Sequence, residues 1–104
     1  MKKVAVIGAG TMGNGIAHVF AMNGFTTHLV DVNEKQLEKA IATITKNLDR
    51  MVVKGSISEE VKAKTLNNLI TFFNTNDGVN GVELVVEAAT ENVDLKLKIF
   101  KQWL

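Results

Sequence analysis

A short apolar run that breaks into spaced glycines and then into helical spacing leaves few folds open to this chain. Val4-Ala5-Val6-Ile7 has little polar relief, as a strand buried on both faces does. It runs into Gly8-Ala9-Gly10-Thr11-Met12-Gly13, and Asn14-Gly15-Ile16-Ala17-His18-Val19-Phe20 follows with helical periodicity. A strand, then G-x-G-x-x-G, then a helix is the context in which this motif cradles a dinucleotide. Each glycine has a separate task. Gly8 turns the chain out of the strand, Gly10 lets a pyrophosphate approach the backbone, and Gly13 lets the helix lie close on the strand. The helix then directs its free N–H groups and positive dipole end at the phosphates.

Three glycines alone also occur in turns that hold no ligand, and the next strand decides between the two. Thr26-Thr27-His28-Leu29-Val30 is β-branched and apolar and ends in Asp31. Asp31 lies 18 residues after Gly13 and 23 after Gly8, close to the roughly 20 expected of the acid that holds the adenosine ribose. A carboxylate there accepts hydrogen bonds from the 2′- and 3′-hydroxyls and repels a 2′-phosphate. Val32-Asn33-Glu34 offers that phosphate no arginine, and the single arginine of the chain is Arg50. The pattern therefore specifies NAD rather than NADP.

Composition narrows the alternatives. At 104 residues the chain makes one small domain. The net charge of +1 comes from mixed signs along the chain, so no basic patch addresses nucleic acid or a membrane surface. The absence of cysteine removes disulfides, thiolate metal sites and cysteine nucleophiles, and fits a reducing compartment. Met1-Lys2-Lys3 followed by four apolar residues is too short and glycine-rich for a signal peptide, so a cytoplasmic location is expected.

The first helix is expected from about Thr11 to Asn23, with Asn23-Gly24 as its stop. Asn33 caps a second helix with Glu34 in its first turn. Leu37, Ile41, Ile44, Leu48 and Met51 form one stripe along it, and it ends at Lys54-Gly55. Ser56-Ile57-Ser58-Glu59 reads as a capping box, or Ser58 caps with Glu59 and Glu60 behind it. Either way a short helix to about Asn67 completes a helical hairpin. Leu69 to Phe73 is a third strand, Asn74 to Gly81 is turn-rich, and Glu83 to Ala88 is a fourth strand. A last helix is expected from Asn92, with Val93, Leu97, Phe100 and Leu104 on one face. The fold class is α/β: a Rossmann-type parallel sheet in the order 3-2-1-4, helices on both faces, a helical hairpin insertion, and a truncated half of a doubly wound domain. On that order the outer edge of strand four is open and apolar.

Ile7-Gly8-Ala9-Gly10-Thr11-Met12-Gly13-Asn14-Gly15-Ile16-Ala17 resembles the opening of the 3-hydroxyacyl-CoA dehydrogenases, 3-hydroxybutyryl-CoA dehydrogenases included. Asp31 with Leu37-Glu38-Lys39-Ala40 and Val53-Lys54-Gly55 is similar to the family's second helix and hairpin, and Leu84 to Asn92 with Lys96 and Ile99-Phe100 to its fourth-strand signature. The resemblance covers the whole chain in order. It implies that Gly8, Gly10, Thr11, Met12 and Gly13 hold the pyrophosphate and Asp31 the adenosine ribose. It places Gln36 near the adenosine, Ala88 beside the dinucleotide, and Glu91 with Lys96 near the nicotinamide ribose. Lys54 falls where the family has a basic residue near the phosphates of coenzyme A, while Asn47 stands where relatives can carry a serine toward the same ligand. Spacing alone also permits Glu91 to be a helix-start carboxylate with Lys96 its solvated neighbour, and Lys54 to be a C-terminal helix charge. His18 and His28 are expected to be structural, and no metal site is expected.

The family's reaction interconverts 3-hydroxyacyl-CoA and 3-ketoacyl-CoA with hydride transfer to NAD, using a histidine base held by a glutamate. Those residues come later in the family than Leu104, so residues 1–104 correspond to an incomplete NAD-binding domain without catalytic residues. The expected partners are an acyl-CoA in the complete enzyme and either a second copy of the chain or a separate C-terminal half. The competing readings are a stand-alone NAD-binding module without chemistry and, from the glycine motif alone, a flavoprotein N-terminus. Met12, Gly15 and the Glu87 to Asn92 segment favour the dehydrogenase. The reading frame downstream of codon 104 discriminates them.

Overall fold

The computed structural model describes residues 2–88 and the backbone of 97–99. The chain runs β1 (Lys3–Ile7), α1 (Thr11–Met22), β2 (Thr26–Val30), α2 (Glu34–Val53), α3 (Glu59–Asn67), β3 (Leu69–Phe72), α4 (Thr75–Val79), β4 (Leu84–Glu87) and β5 (Leu97–Ile99). The strands form one sheet in the order β3-β2-β1-β4-β5. The first four are parallel in the expected order. Ile7 lies level with Val30 on one side and with Glu87 on the other, so β1, β2 and β4 end together.

Alternation along β1 supplies a core to each face of the sheet. Val6 joins Leu29, Ala17, Leu37 and Ala40 in a cluster under α1 and α2, with Ile16, Phe20 and Leu69 packed against it. Ala5 joins Val82 and Val85 on the opposite face, where Ile7 and Val79 also pack. A strand with both faces covered must be apolar throughout, which is why Val4 to Ile7 carries no polar residue.

The helices end where their side chains dictate. Asn33 accepts from the Gln36 N–H and caps α2, and Glu34 sits in the first turn. Leu37, Ile44 and Leu48 of the expected stripe are buried, while Ile41 and Met51 are half-buried. Of the two capping possibilities for α3, Ser58 is the cap: its hydroxyl accepts from the Val61 N–H. The hairpin of α2 and α3 is joined by an ion pair between Lys62 and Asp49. At its tip Val53 is almost fully exposed.

Two expectations are corrected. The turn-rich segment after β3 contains a short helix, α4, because the Asn74 side chain accepts from the N–H groups of Asn76 and Asp77. Gly78 then lets that helix press on the sheet: a Cβ there would lie 2.3 Å from a Val30 methyl. The helix expected from Asn92 is instead strand over Leu97–Ile99. This β5 pairs antiparallel with β4, Leu84 opposite Ile99 and Val86 opposite Leu97. Backbone groups along β4 gain ladder partners there, so the strand-four edge is not open over that stretch. Asn92, Val93, Phe100 and Leu104 lie outside the described residues.

Both histidines fall within secondary structure away from the strand ends. His28, buried in β2, bonds through Nδ1 to the Gly78 carbonyl at 2.8 Å and packs its ring on Phe72. His18, in α1, contacts the Met22 sulfur.

Candidate nucleotide site

The level ends of β1, β2 and β4 bring Gly8, Asp31 and Ala88 together. Gly8 adopts φ +103°, which side chains rarely tolerate. Its N–H donates to the Val30 carbonyl at 2.7 Å, and the Ala88 N–H donates to the Ile7 carbonyl at 2.8 Å. The glycine loop is thus bound to the end of β2 at its first residue, and the residue just before it is bound to the end of β4.

Gly13 and Gly10 differ in what a side chain would meet. A Cβ on Gly13 would lie 1.6 Å from the Gly8 carbonyl oxygen, so the helix packs on the loop at backbone contact. A Cβ on Gly10 meets no protein atom within 4 Å. Gly10 borders open space, as a residue must if a ligand is to rest against it.

The start of α1 is unlike the other three helix starts among the described residues. Asn33, Ser58 and Asn74 cap α2, α3 and α4 through their side chains, and each of those helices has an acidic residue in its first turn. Gly10 supplies no cap, and α1 has no acid in its first turn. The first helical bond runs from the Asn14 N–H to the Gly10 carbonyl at 2.8 Å. The N–H groups of Thr11, Met12 and Gly13 precede it and have no partner in the helix ladder. An anion is the complement such a terminus lacks.

Asp31 is half-buried immediately after β2. Its Oδ2 accepts from the Ala9 N–H and its Oδ1 from the Asn33 N–H, each at 2.9 Å. A carboxylate has about four acceptor sites, so two remain for ribose hydroxyls. Between loop and α2 lies a groove of about 210 Å³ lined by Gly10, Thr11, Asn14, Gln36, Lys39 and Thr43 among others.

The structure therefore brings together Gly8, Gly10, Thr11, Met12, Gly13, Asp31 and Ala88 around the loop, with Gln36 across the groove. Lys54 is not among them. It is the exposed C-cap of the 20-residue α2, about 30 Å along the axis from the capped end. Glu91 and Lys96 lie outside the described residues. Sequence reasoning overlooked Asn14, Lys39 and Thr43. The signal was present in α2, where Gln36, Lys39, Ala40 and Thr43 share one helical face beside the apolar stripe. Among the described residues no group of His, Cys, Asp and Glu could hold a metal, and no helix is long and apolar enough to cross a membrane.

These residues suit NAD: a cradle open at Gly10, free N–H groups for a pyrophosphate, and a carboxylate with lone pairs to spare for a ribose. Residues 3–103 match the family described as 3-hydroxyacyl-CoA dehydrogenase, NAD binding domain. A 3-hydroxybutyryl-CoA dehydrogenase from Bradyrhizobium diazoefficiens is 45% identical over 98% of this chain and 34% of its own length. A crystal structure of (S)-3-hydroxybutyryl-CoA dehydrogenase from Ralstonia eutropha superposes with a TM-score of 0.83 at 37% identity, over 90% of this chain and 33% of that one. A crystal structure of 3-hydroxybutyryl-CoA dehydrogenase from Escherichia coli K12 gives a TM-score of 0.83 at 39% identity, over 86% of this chain and 19% of that one. The chain thus spans about a third of the length of the Bradyrhizobium relative.

Proposed function

The chain belongs to the 3-hydroxyacyl-CoA dehydrogenase family, as its NAD-binding domain, and on that premise we propose that it serves an oxidoreductase interconverting 3-hydroxyacyl-CoA and 3-ketoacyl-CoA. The substrate class is short acyl-CoA, 3-hydroxybutyryl-CoA foremost, in fatty acid or butyrate metabolism. NAD, when bound, supplies the hydride acceptor; the residues of this chain bind and orient it.

The observation that carries the reading is the pairing of an open Gly10 with a carboxylate at the end of the next strand. Gly8, Gly10, Thr11, Met12 and Gly13 receive the pyrophosphate, Asp31 the adenosine ribose, Gln36 the adenosine, and Ala88 backs the dinucleotide. Glu91 and Lys96 act at the nicotinamide ribose, and Lys54 meets coenzyme A phosphate. His18 and His28 sit inside α1 and β2 rather than at the strand ends, so neither is offered as the base. The base comes from residues beyond these 104, in a second half of the enzyme that also closes the acyl-CoA site. The location proposed is cytoplasmic.

Titration calorimetry with both nucleotides tests the cofactor assignment. NAD is expected to bind at least tenfold more tightly than NADP. Equal affinities, or tighter NADP binding, would overturn the role given to Asp31.

A further inference from the structure

We infer that Asp31 is also a positioning residue: its carboxylate is the strut that sets the phosphate loop against the start of α2 before any nucleotide arrives. The inference rests on the nucleotide reading for its consequence and on two hydrogen bonds for its geometry. One oxygen takes the N–H of Ala9, the residue between the first two glycines, and the other takes the N–H of Asn33, the cap of α2. Ala9 is buried, so its N–H needs a partner inside the protein, and at 2.9 Å the carboxylate is that partner.

The bonds form a chain across the site. The Gly8 N–H holds the loop to the Val30 carbonyl. The next amide, Ala9, is held by the next residue of β2, Asp31. The Asp31 N–H donates to the Phe72 carbonyl, which ties that residue to β3. Its second oxygen holds the Asn33 N–H, and the Asn33 side chain caps Gln36. A single carboxylate therefore fixes Gly10 and Gln36, on opposite walls of the groove, relative to one another. It also uses up the Ala9 amide and leaves the following N–H groups, at Thr11 to Gly13, directed to the phosphates. Charge-assisted bonds of this kind are short and strong enough to hold a loop.

The sign of one effect separates this strut from a residue that only recognises ribose. Removing a carboxylate near a diphosphate removes a repulsion, so Coulomb's law alone predicts tighter binding of any diphosphate that lacks ribose hydroxyls. Loss of the strut predicts weaker binding. The probe is 2′,3′-dideoxyadenosine 5′-diphosphate, with ADP and NAD alongside, titrated into the chain and into Asp31→Ala and Asp31→Asn. In parallel, amide hydrogen exchange reports Ala9 without any ligand. The expected result is dideoxy-ADP binding at least fivefold weaker in Asp31→Ala, an intermediate loss in Asp31→Asn, which keeps one acceptor oxygen, and Ala9 exchange at least tenfold faster while Gly8 stays protected. Dideoxy-ADP binding that is unchanged or tighter in both variants overturns the proposal, and so does Ala9 exchange that ignores the substitution. If the unaltered chain binds neither ADP nor NAD, the nucleotide reading falls by itself. Ala9 exchange then still decides whether Asp31 is the strut.

Discussion

The glycine corner and the α2–α3 hairpin are held together in opposite ways. At the corner, backbone meets backbone: the Gly13 Cα lies against the Gly8 carbonyl, and Gly8 and Ala9 are each bonded to the end of β2. In the hairpin, side chains do the holding: a buried stripe seats α2, a half-buried Lys62 pairs with the exposed Asp49, and Lys64 pairs with Glu60 on the surface. A backbone contact has no slack, because no rotamer can move out of the way. A solvated ion pair is exchanged for water at little cost. Function belongs to the first kind of construction, since a ligand that must approach the backbone needs atoms missing from side chains.

The largest effect expected of this difference is at Gly13. Replacing it with alanine puts a methyl into the Gly8 carbonyl and should destabilise the fold by about 3 kcal/mol, measured by urea unfolding. A loss below about 1 kcal/mol would mean that α1 does not pack on the loop as described. Gly10→Val comes next and separates fold from function. Its side chain enters open space, so the melting temperature should stay close to that of the parent while NAD binding falls below detection in calorimetry. Full affinity in a folded Gly10→Val protein would break the assignment of the cradle.

The same contrast explains what could be read in advance. Gly8, Gly10 and Gly13 were legible because each answers a backbone requirement that no other residue meets. Asp31 was legible because parallel strands that end level put its position next to the loop. α2 was legible from Asn33 and its stripe. α4 was not, because Thr75 to Val79 holds a glycine and four residues of ordinary or poor helix propensity. The Asn74 cap is local, but it starts a helix only because Gly78 also lets the segment press on Val30, and that close approach is a tertiary fact. β5 was misread because Val93, Leu97, Phe100 and Leu104 fit a helical face while Leu95-Lys96-Leu97-Lys98-Ile99 alternates as a strand does. The unpaired edge of β4 decided between them. The bonds from Asp31 to Ala9 and Asn33 were invisible, since spacing does not reveal where a carboxylate's lone pairs go.

A smaller effect lies within α1. Burial lowers the His18 pKa from its ordinary value near 6.5. The unfolded chain therefore takes up a proton that the folded chain resists. Stability should fall as pH drops through 6.5 and level off once the folded form protonates as well. Melts between pH 7.5 and 5 on the parent and on His18→Gln check this; an equal decline in both would show that His18 is not the cause. The smallest effect belongs to the hairpin. The hydrogen bond that Lys62 donates to Asp49 raises the Lys62 pKa, so the ammonium keeps its charge through neutral and mildly alkaline pH. Lys62→Ala should nonetheless shift the melt little, because the Asp49 carboxylate it pairs with is exposed to water. A large drop would make the hairpin more like the corner than this account allows.

The most direct test of the claim that the corner is the nucleotide site is an amide chemical-shift titration of the chain with NAD. The account predicts that perturbations concentrate at Gly8 to Asn14 and Asp31 to Gln36, with Ala88 also moving. Lys54 to Ser58 at the hairpin tip should remain still. Shifts centred on the hairpin, or a corner that does not respond to saturating NAD, would contradict it.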